Sequence, residues 1–406
     1  MLPLFKLLFL LSFMIVLILR KIKVGYVLLL ATVATEIIFY IPIDKFIFPV
    51  LESTFSKRTV TIIVMIFAIL VLSTFMKEKK LLSSLIENLS FFIKSKKVLN
   101  MCLPAFIGLL PMPGGALFSA PMVEEGLKGT NFSKEEKTYI NYWFRHIWEY
   151  ILPLYPGIIL TSGIFGISNK TLFFLHLPFT FAMIVIGYFI VFLNAKVENR
   201  KTKSPSFQAF INIVKSVSPV LVILFLSIIL NINVAVSMLI TLVLCFVMFK
   251  VSLSEVKEYL KSALNIDMLV MVIGIFYFKQ ALEVTGAISL LPSMFHSGSY
   301  YTIVMIIMLP FITGLLTGIT LAYVGITFPI LSVYISTSQG INLNFEMLAY
   351  ISGFLGVMLS PVHLCLLLTN EYFDSDLKKV YKYLFKSSSV LFLFLLILFF
   401  VKSNTI

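Results

Sequence analysis

The sequence predicts an all-α integral membrane protein, with about ten transmembrane helices and two re-entrant hairpins arranged as an inverted-topology repeat. Three observations lead there: the composition, the division of basic residues between loops, and a motif that returns in the second half. Of 406 residues, 59% are hydrophobic and 13% charged, whereas a soluble domain carries roughly 25% charged residues. Apolar stretches of about 17 to 25 residues, enough to cross a hydrocarbon core of roughly 30 Å, recur from end to end.

In chain order, clean spans read at 2–19, 24–43, 59–76, 138–165, 170–194, 213–230, 233–250, 264–285, 345–370 and 387–402. The first has no small-residue cleavage site and reads as a retained helix. Two further apolar stretches, 101–124 and 303–331, are interrupted near their middles by Gly, Pro and Thr. Each is either a crossing or a hairpin that leaves on the side it enters. Residues 77–100 are amphipathic with a basic face and suit a helix lying in the interface, and 288–299 are a weaker, uncharged counterpart.

Charge decides between crossing and hairpin. With two hairpins, one face collects 24 basic residues: Arg20, Lys21, Lys23, those of 77–97, Lys128, Lys134, Lys137, those of 196–215, Lys250, Lys257, Lys261 and those of 378–386. The other face holds six: Lys6, Lys45, Lys57, Arg58, Lys170 and Lys402. With two crossings the division becomes 14 against 16. The positive-inside rule prefers hairpins and puts both termini outside a cell inner (plasma) membrane. The net charge of +13 then points to anionic lipid as partner and not to nucleic acid.

The repeat is visible in residues. LPAFIGLL at 103–110 returns as LPFITGLL at 309–316, an offset of 206, and Tyr142 and Pro153 return as Tyr350 and Pro361 at an offset of 208. Each half, 1–200 and 201–406, reads as three helices, a hairpin, a broken helix and a final helix. Five crossings per half is odd, so the second copy inserts upside down.

On the segments LLPMPGGALFSAP (109–121), GLLTGITLAYVGITFP (314–329) and FKQALEVTGAISLL (278–291), the chain resembles the ion transporter superfamily of gluconate, C4-dicarboxylate, citrate, divalent-anion/sodium and arsenite carriers. The PMPGG hairpin is most similar to an uncharacterised prokaryotic branch of it. The resemblance implies a homodimeric elevator, with scaffold parts at 1–100 and 205–300 and transport parts at 101–195 and 301–406. The chain lacks the Ser-Asn-Thr that sodium/dicarboxylate members carry at the hairpin tips.

A hairpin that stops in mid-membrane leaves backbone groups that lipid cannot pair, so its tip must face protein or water. Pro111, Met112 and Pro113 end one half-helix; Gly114 and Gly115 turn the chain and start the next with free N–H groups, which favour an anion, and Ser119 lies one turn further. In the second hairpin Thr317, Gly318 and Thr320 offer groups for a solute or, with carbonyls, a sodium ion. Close helix packing is the alternative use of such residues. The following helices break at Pro153-Leu154-Tyr155-Pro156-Gly157 and Ser360-Pro361-Val362-His363, so Tyr155, Ser360 and His363 fall beside backbone facing the tip of their own half, unless the kinks are only structural.

Arg145 and Glu149 lie four apart within one span. Either they neutralise each other as a local pair, or Arg145 holds an anion while Glu149 tunes it or carries a proton. His146 is a titratable neighbour or an ordinary core histidine. Lys279 and Glu283 sit near a helix end, where snorkelling suffices. Cys102, Cys245 and Cys365 stand singly, with neither disulfide nor metal spacing.

No HExxH or Gly-x-Gly-Asp motif suggests an intramembrane enzyme, and two inverted hairpins suit an alternating gate better than a channel. The expected function is secondary transport of a small, anionic solute, an organic carboxylate or oxyanion, coupled to a sodium ion or a proton and without a cofactor.

Overall fold

Caps and prolines set where helices begin, and left-handed residues set where they end. The computed structural model describes residues 2–112, 114–193, 195, 206–286, 300–337 and 340–403. These residues are nearly all helical: α1 (Leu2–Leu19), α2 (Val24–Phe39), α3 (Ile43–Phe55), α4 (Lys57–Glu78), α5 (Leu81–Phe92), α6 (Lys96–Ile107), α7 (Ala116–Gly126), α8 (Lys134–Arg145), α9 (Pro156–Phe165) and α10 (Asn169–Val191). Then come α11 (Phe207–Leu224), which runs into a π-helical turn at Phe225–Ile229, α12 (Val234–Met248), α13 (Leu253–Ala263), α14 (Ile266–Thr285), α15 (Tyr300–Thr317), α16 (Thr320–Ile335), α17 (Leu343–Met358), α18 (Leu364–Phe373) and α19 (Leu377–Ser403). A two-residue antiparallel ribbon, Ser336–Thr337 against Gly340–Ile341, joins α16 to α17.

Among the described residues six helices are long and apolar enough to cross a membrane: α4, α10, α11 with its π turn, α14, α15 and α19. The remaining expected spans are shorter apolar helices, or helices broken where the prolines stand. Three expectations need correction. The span 24–43 stops at Phe39, because Tyr40 turns left-handed (φ 54°), and a separate helix, α3, follows it. The amphipathic stretch 77–100 is not one helix: Lys80 is left-handed after α4, α5 buries Leu81, Leu82, Leu85 and Leu89, and Ser95 caps a new start at α6 by accepting from Val98 N. The stretch 253–263, unassigned from sequence, forms α13, capped by a reciprocal Ser252–Glu255 box. The 288–299 counterpart lies outside the described residues.

The two interrupted stretches fold as helix pairs whose arms pack on each other, α6 with α7 and α15 with α16. At the centre, α17 is buried from Phe345 to Met358 and packs along α15, while α18 lies on α7 and α8 and α9 lies on α16. A helix apolar on all sides belongs inside a bundle. Outer helices α1, α2, α11 and α12 show Phe9, Ile37, Phe210, Val243 and Val247 on the surface, the pattern of a lipid-facing shell.

Polar contacts tie helix ends together. Lys23 pairs with Asp267 at 2.8 Å, Lys79 with Glu255 at 2.7 Å, and Lys134 with Asp374 at 2.7 Å. Lys97 Nζ donates to the Phe192 carbonyl at 2.8 Å, and Thr54 to the Tyr277 hydroxyl at 2.8 Å.

Candidate functional site

Two helix breaks, 146–155 and 359–363, meet in the interior with both hairpin tips around them. Broken backbone away from water has to be paired, and side chains from neighbouring helices do it. In the first break, Thr180 Oγ1 donates to the Ile147 carbonyl (2.8 Å), His176 Nδ1 to that of Tyr150 (2.9 Å) and Tyr350 to that of Glu149 (2.9 Å). In the second, Tyr142 donates to the Met358 carbonyl and Tyr381 to that of Leu359, both at 3.1 Å. Buried tyrosines are therefore part of how these breaks are tolerated.

Each break also grips its own hairpin. Tyr155 donates its hydroxyl to the Gly108 carbonyl, and His363 Nδ1 donates to the Gly318 carbonyl at 2.8 Å. The halves cross as well: Thr320 Oγ1 donates to Glu149 Oε2 at 3.2 Å, and Asn141 Nδ2 donates to both the Ala116 carbonyl and Thr369 Oγ1 at 3.0 Å.

Arg145, 3% exposed, ends α8 inside this centre. Nη2 donates to the Met112 carbonyl at the first tip (2.8 Å), Nη1 to Cys365 Sγ (3.2 Å), and Nε has no partner. The local pair with Glu149, one of the two alternatives the spacing left open, does not form. Because α8 stops at Arg145, Glu149 is carried off the helical face and instead lies 3.7 Å from His146 Nε2 and beside Thr320.

A family model described as a protein of unknown function (DUF401) matches residues 4–402. The chain belongs to the DUF401 family. No curated protein matches it.

In this DUF401 chain the sequence-predicted site residues separate into two groups. Gly115, Arg145, Glu149, Tyr155, Gly318, Thr320, Ser360 and His363 converge. At Gly318 (φ 64°) an added Cβ would lie 3.0 Å from Ser360 Oγ and from His363 backbone, so the tip and the break touch. Gly114 (φ 71°) supplies the left-handed turn of the first tip, with Leu368 as nearest neighbour. Ser119 and Thr317 turn away, bonded to the Ala116 and Thr313 carbonyls of their own helices. Pro113 lies outside the described residues. The tip amides expected to be free are partly engaged: Gly115 N donates to the Met112 carbonyl, Leu117 N to that of Gly114 and Phe118 N to that of Gly115. The guanidinium, more than the half-helix terminus, is the cationic feature of this tip.

Sequence reasoning missed two features. Cys365 joins His146 and His363 in a cluster whose ligand atoms all lie within 4.8 Å of one another. In addition, His176 Nε2 meets Glu346 Oε2 at 3.0 Å, both side chains fully buried, and Glu346 Oε1 has no partner. Glu346 hides at the start of a span, where an acidic first-turn residue looks like a solvated helix end.

Proposed function

We propose that this DUF401 protein is a secondary transporter that binds a small anion, an organic carboxylate or oxyanion, where the two hairpin tips and two helix breaks meet. The observation that carries the reading is Arg145, a buried guanidinium with an unpartnered Nε, held against the glycine tip of the first hairpin. A charge at such depth is costly unless it has work to do, and a guanidinium can take a carboxylate or oxyanion through two parallel hydrogen bonds.

The inverted repeat belongs to this proposal. It is supported by near-reciprocal contacts: Tyr142 and Tyr350, 208 apart, reach the carbonyls of Met358 and Glu149, which are 209 apart. Likewise Tyr155 and His363, also 208 apart, each donate into their own hairpin. Self-reciprocal contacts are the mark of a two-fold relation. The hairpin topology draws support from the helix-end contacts. Lys23–Asp267, Lys79–Glu255, Lys134–Asp374 and Lys97–Phe192 each join residues that two hairpins put on one face and two crossings would put on opposite faces. A membrane with both termini outside, an elevator movement, a homodimer, coupling to sodium or protons and kinship with the ion transporter superfamily complete the proposal, the last resting on the hairpin motifs.

The test is a thermal-shift screen of the purified protein against small carboxylates and oxyanions, with and without sodium and across pH. A ligand at 100 times its Kd adds about 2.7 kcal/mol. Arg145→Lys keeps the charge but not the fork, and is expected to lose the shift while staying monodisperse. Arg145→Gln combined with Glu149→Gln is expected to fold and not bind. Wild-type binding and uptake by that double variant would remove Arg145 from the site and the proposal with it.

A further inference from the structure

His146 stands in the first break, His363 in the second and Cys365 in the first turn of α18, and their side-chain ligand atoms lie within 4.8 Å of one another at the centre. The hydrogen-bond partners of the imidazoles fix their tautomers. His146 Nδ1 lies 2.6 Å from the Tyr142 carbonyl and His363 Nδ1 lies 2.8 Å from the Gly318 carbonyl. A carbonyl only accepts, so each Nδ1 carries its hydrogen and each neutral ring presents a lone pair at Nε2. Those two Nε2 atoms stand 3.1 Å apart. Two lone pairs at that distance repel; the Cys365 thiol, hydrogen-bonded to His146, can meet one of them, and a cation between them meets both.

We propose that His146 Nε2, His363 Nε2 and Cys365 Sγ bind a borderline-soft transition-metal ion of the zinc class, with Glu149 Oε1 as the fourth ligand. Zn–N bonds of about 2.0–2.1 Å at a tetrahedral angle separate two nitrogens by about 3.3 Å. The 3.1 Å observed agrees with that separation to within the tolerance expected of a real site. Glu149 Oε1, 3.7 Å from His146 Nε2, is the carboxylate oxygen beside this cluster. The surroundings also match. Metal-bound imidazoles characteristically donate their other N–H to a backbone carbonyl, as both do here, and a thiolate ligand is steadied by an outer donor, the place that Arg145 Nη1 takes at 3.2 Å from Sγ.

Charge favours the same assignment. A divalent ion with one thiolate and one carboxylate is formally neutral, which suits a desolvated site beside Arg145. The metal therefore meets both lone pairs in a ligand set that is formally neutral. It also ties α8 and its break to α18 and its break, fixing both tips through the Gly318 and Met112 carbonyls.

The site is tested on the full chain, tag-free, purified in detergent, stripped with chelator and titrated with Zn2+ and with Co2+. One equivalent per chain is expected, with Co2+ giving the visible bands of a tetrahedral ion and a thiolate-to-cobalt charge-transfer band in the near ultraviolet. Cys365→Ser should abolish that band and, like His363→Ala, weaken Zn2+ binding by about tenfold or more. A Cys102→Ser/Cys245→Ser background, free of the other thiols, should behave as wild type. Should Cys365→Ser fail to fold, the Co2+ spectrum of that background decides alone, since Cys365 is then its one thiol. No uptake of either ion, a Co2+ complex without the thiolate band, or wild-type affinity in folded Cys365→Ser would each overturn the site. None of these results decides the solute reading, which the thermal-shift screen tests separately.

Discussion

A side chain at Gly115 would put its Cβ 2.5 Å from Nη2 of Arg145, far inside contact distance, whereas at Gly114 the nearest atom, Leu368 Cδ1, is 3.5 Å away. The two glycines of one tip thus answer to different constraints. Gly115→Ala is expected to leave a folded, inserted protein whose guanidinium is pushed off the Met112 carbonyl, with uptake into proteoliposomes reduced by about tenfold or more, the loss of a charge-assisted hydrogen bond. Gly114→Ala strains a left-handed residue instead and should cost about 1–2 kcal/mol of stability, read as a lower melting temperature, with a smaller effect on uptake. Normal uptake in folded Gly115→Ala would exclude this tip from the site. Gly114, Gly115 and Arg145 were legible in the sequence because a Gly-Gly pair and a lone guanidinium stand out against an apolar span. The partnership of His146 with His363 was not, since 217 residues separate them and no local spacing announces it. The Arg145–Glu149 pairing failed for a related reason: four-residue spacing implies one face only while the helix continues, and α8 ends at Arg145.

At the scale of elements, hydropathy located the long helices well and the short ones poorly. α3 contains Pro49 and follows α2 after a three-residue turn, so its sequence merges with the end of a span. α13 carries too many charges to read as membrane and too few residues to stand out, and tertiary contact sustains it: Tyr259 and Ala263 are buried, and Glu255 pairs with Lys79 at the end of α4. That pairing gives a pH prediction. The Lys79 ammonium, together with the Ser252 backbone and hydroxyl at the helix cap, holds the Glu255 carboxyl down from 4.5 to about 2. A depressed carboxyl contributes stability that is complete above its unfolded value and lost as pH falls through the folded one. The melting-temperature difference between wild type and Glu255→Gln should therefore be greatest above about pH 5 and vanish toward pH 2. A difference that does not change across that window would show that the pair leaves stability untouched. The partners are on the surface, so the effect is small and should shrink further in salt.

Across the whole molecule, the charge division and the helix-end contacts make one demand, that Lys79 and Lys128 share a face and Thr54 lie on the other. On a cysteine-free background, cysteines placed at Lys79 and Lys128 should label only from the cytoplasm and one at Thr54 only from outside. Opposite labelling of the first two would convert the first hairpin into a crossing. The long apolar spans were legible because lipid constrains sequence strongly; the convergence of both breaks was not, because it depends on tertiary pairing of tyrosines with distant carbonyls. The reciprocal bonds of Tyr142 and Tyr350 also have a mechanical side. They join the two breaks in both directions, so neither hairpin assembly can shift by much without dragging its counterpart. On the proposed movement the centre would shift as a single body, and the give would lie where it meets α4 and α14. There the contacts are of another kind: Ile62 of α4 rests on Gly163 of α9, and Ile275 of α14 rests on Gly325 of α16. Apolar side chain on bare backbone is a smooth seam, and on that proposal these two seams are where a rigid core would slip.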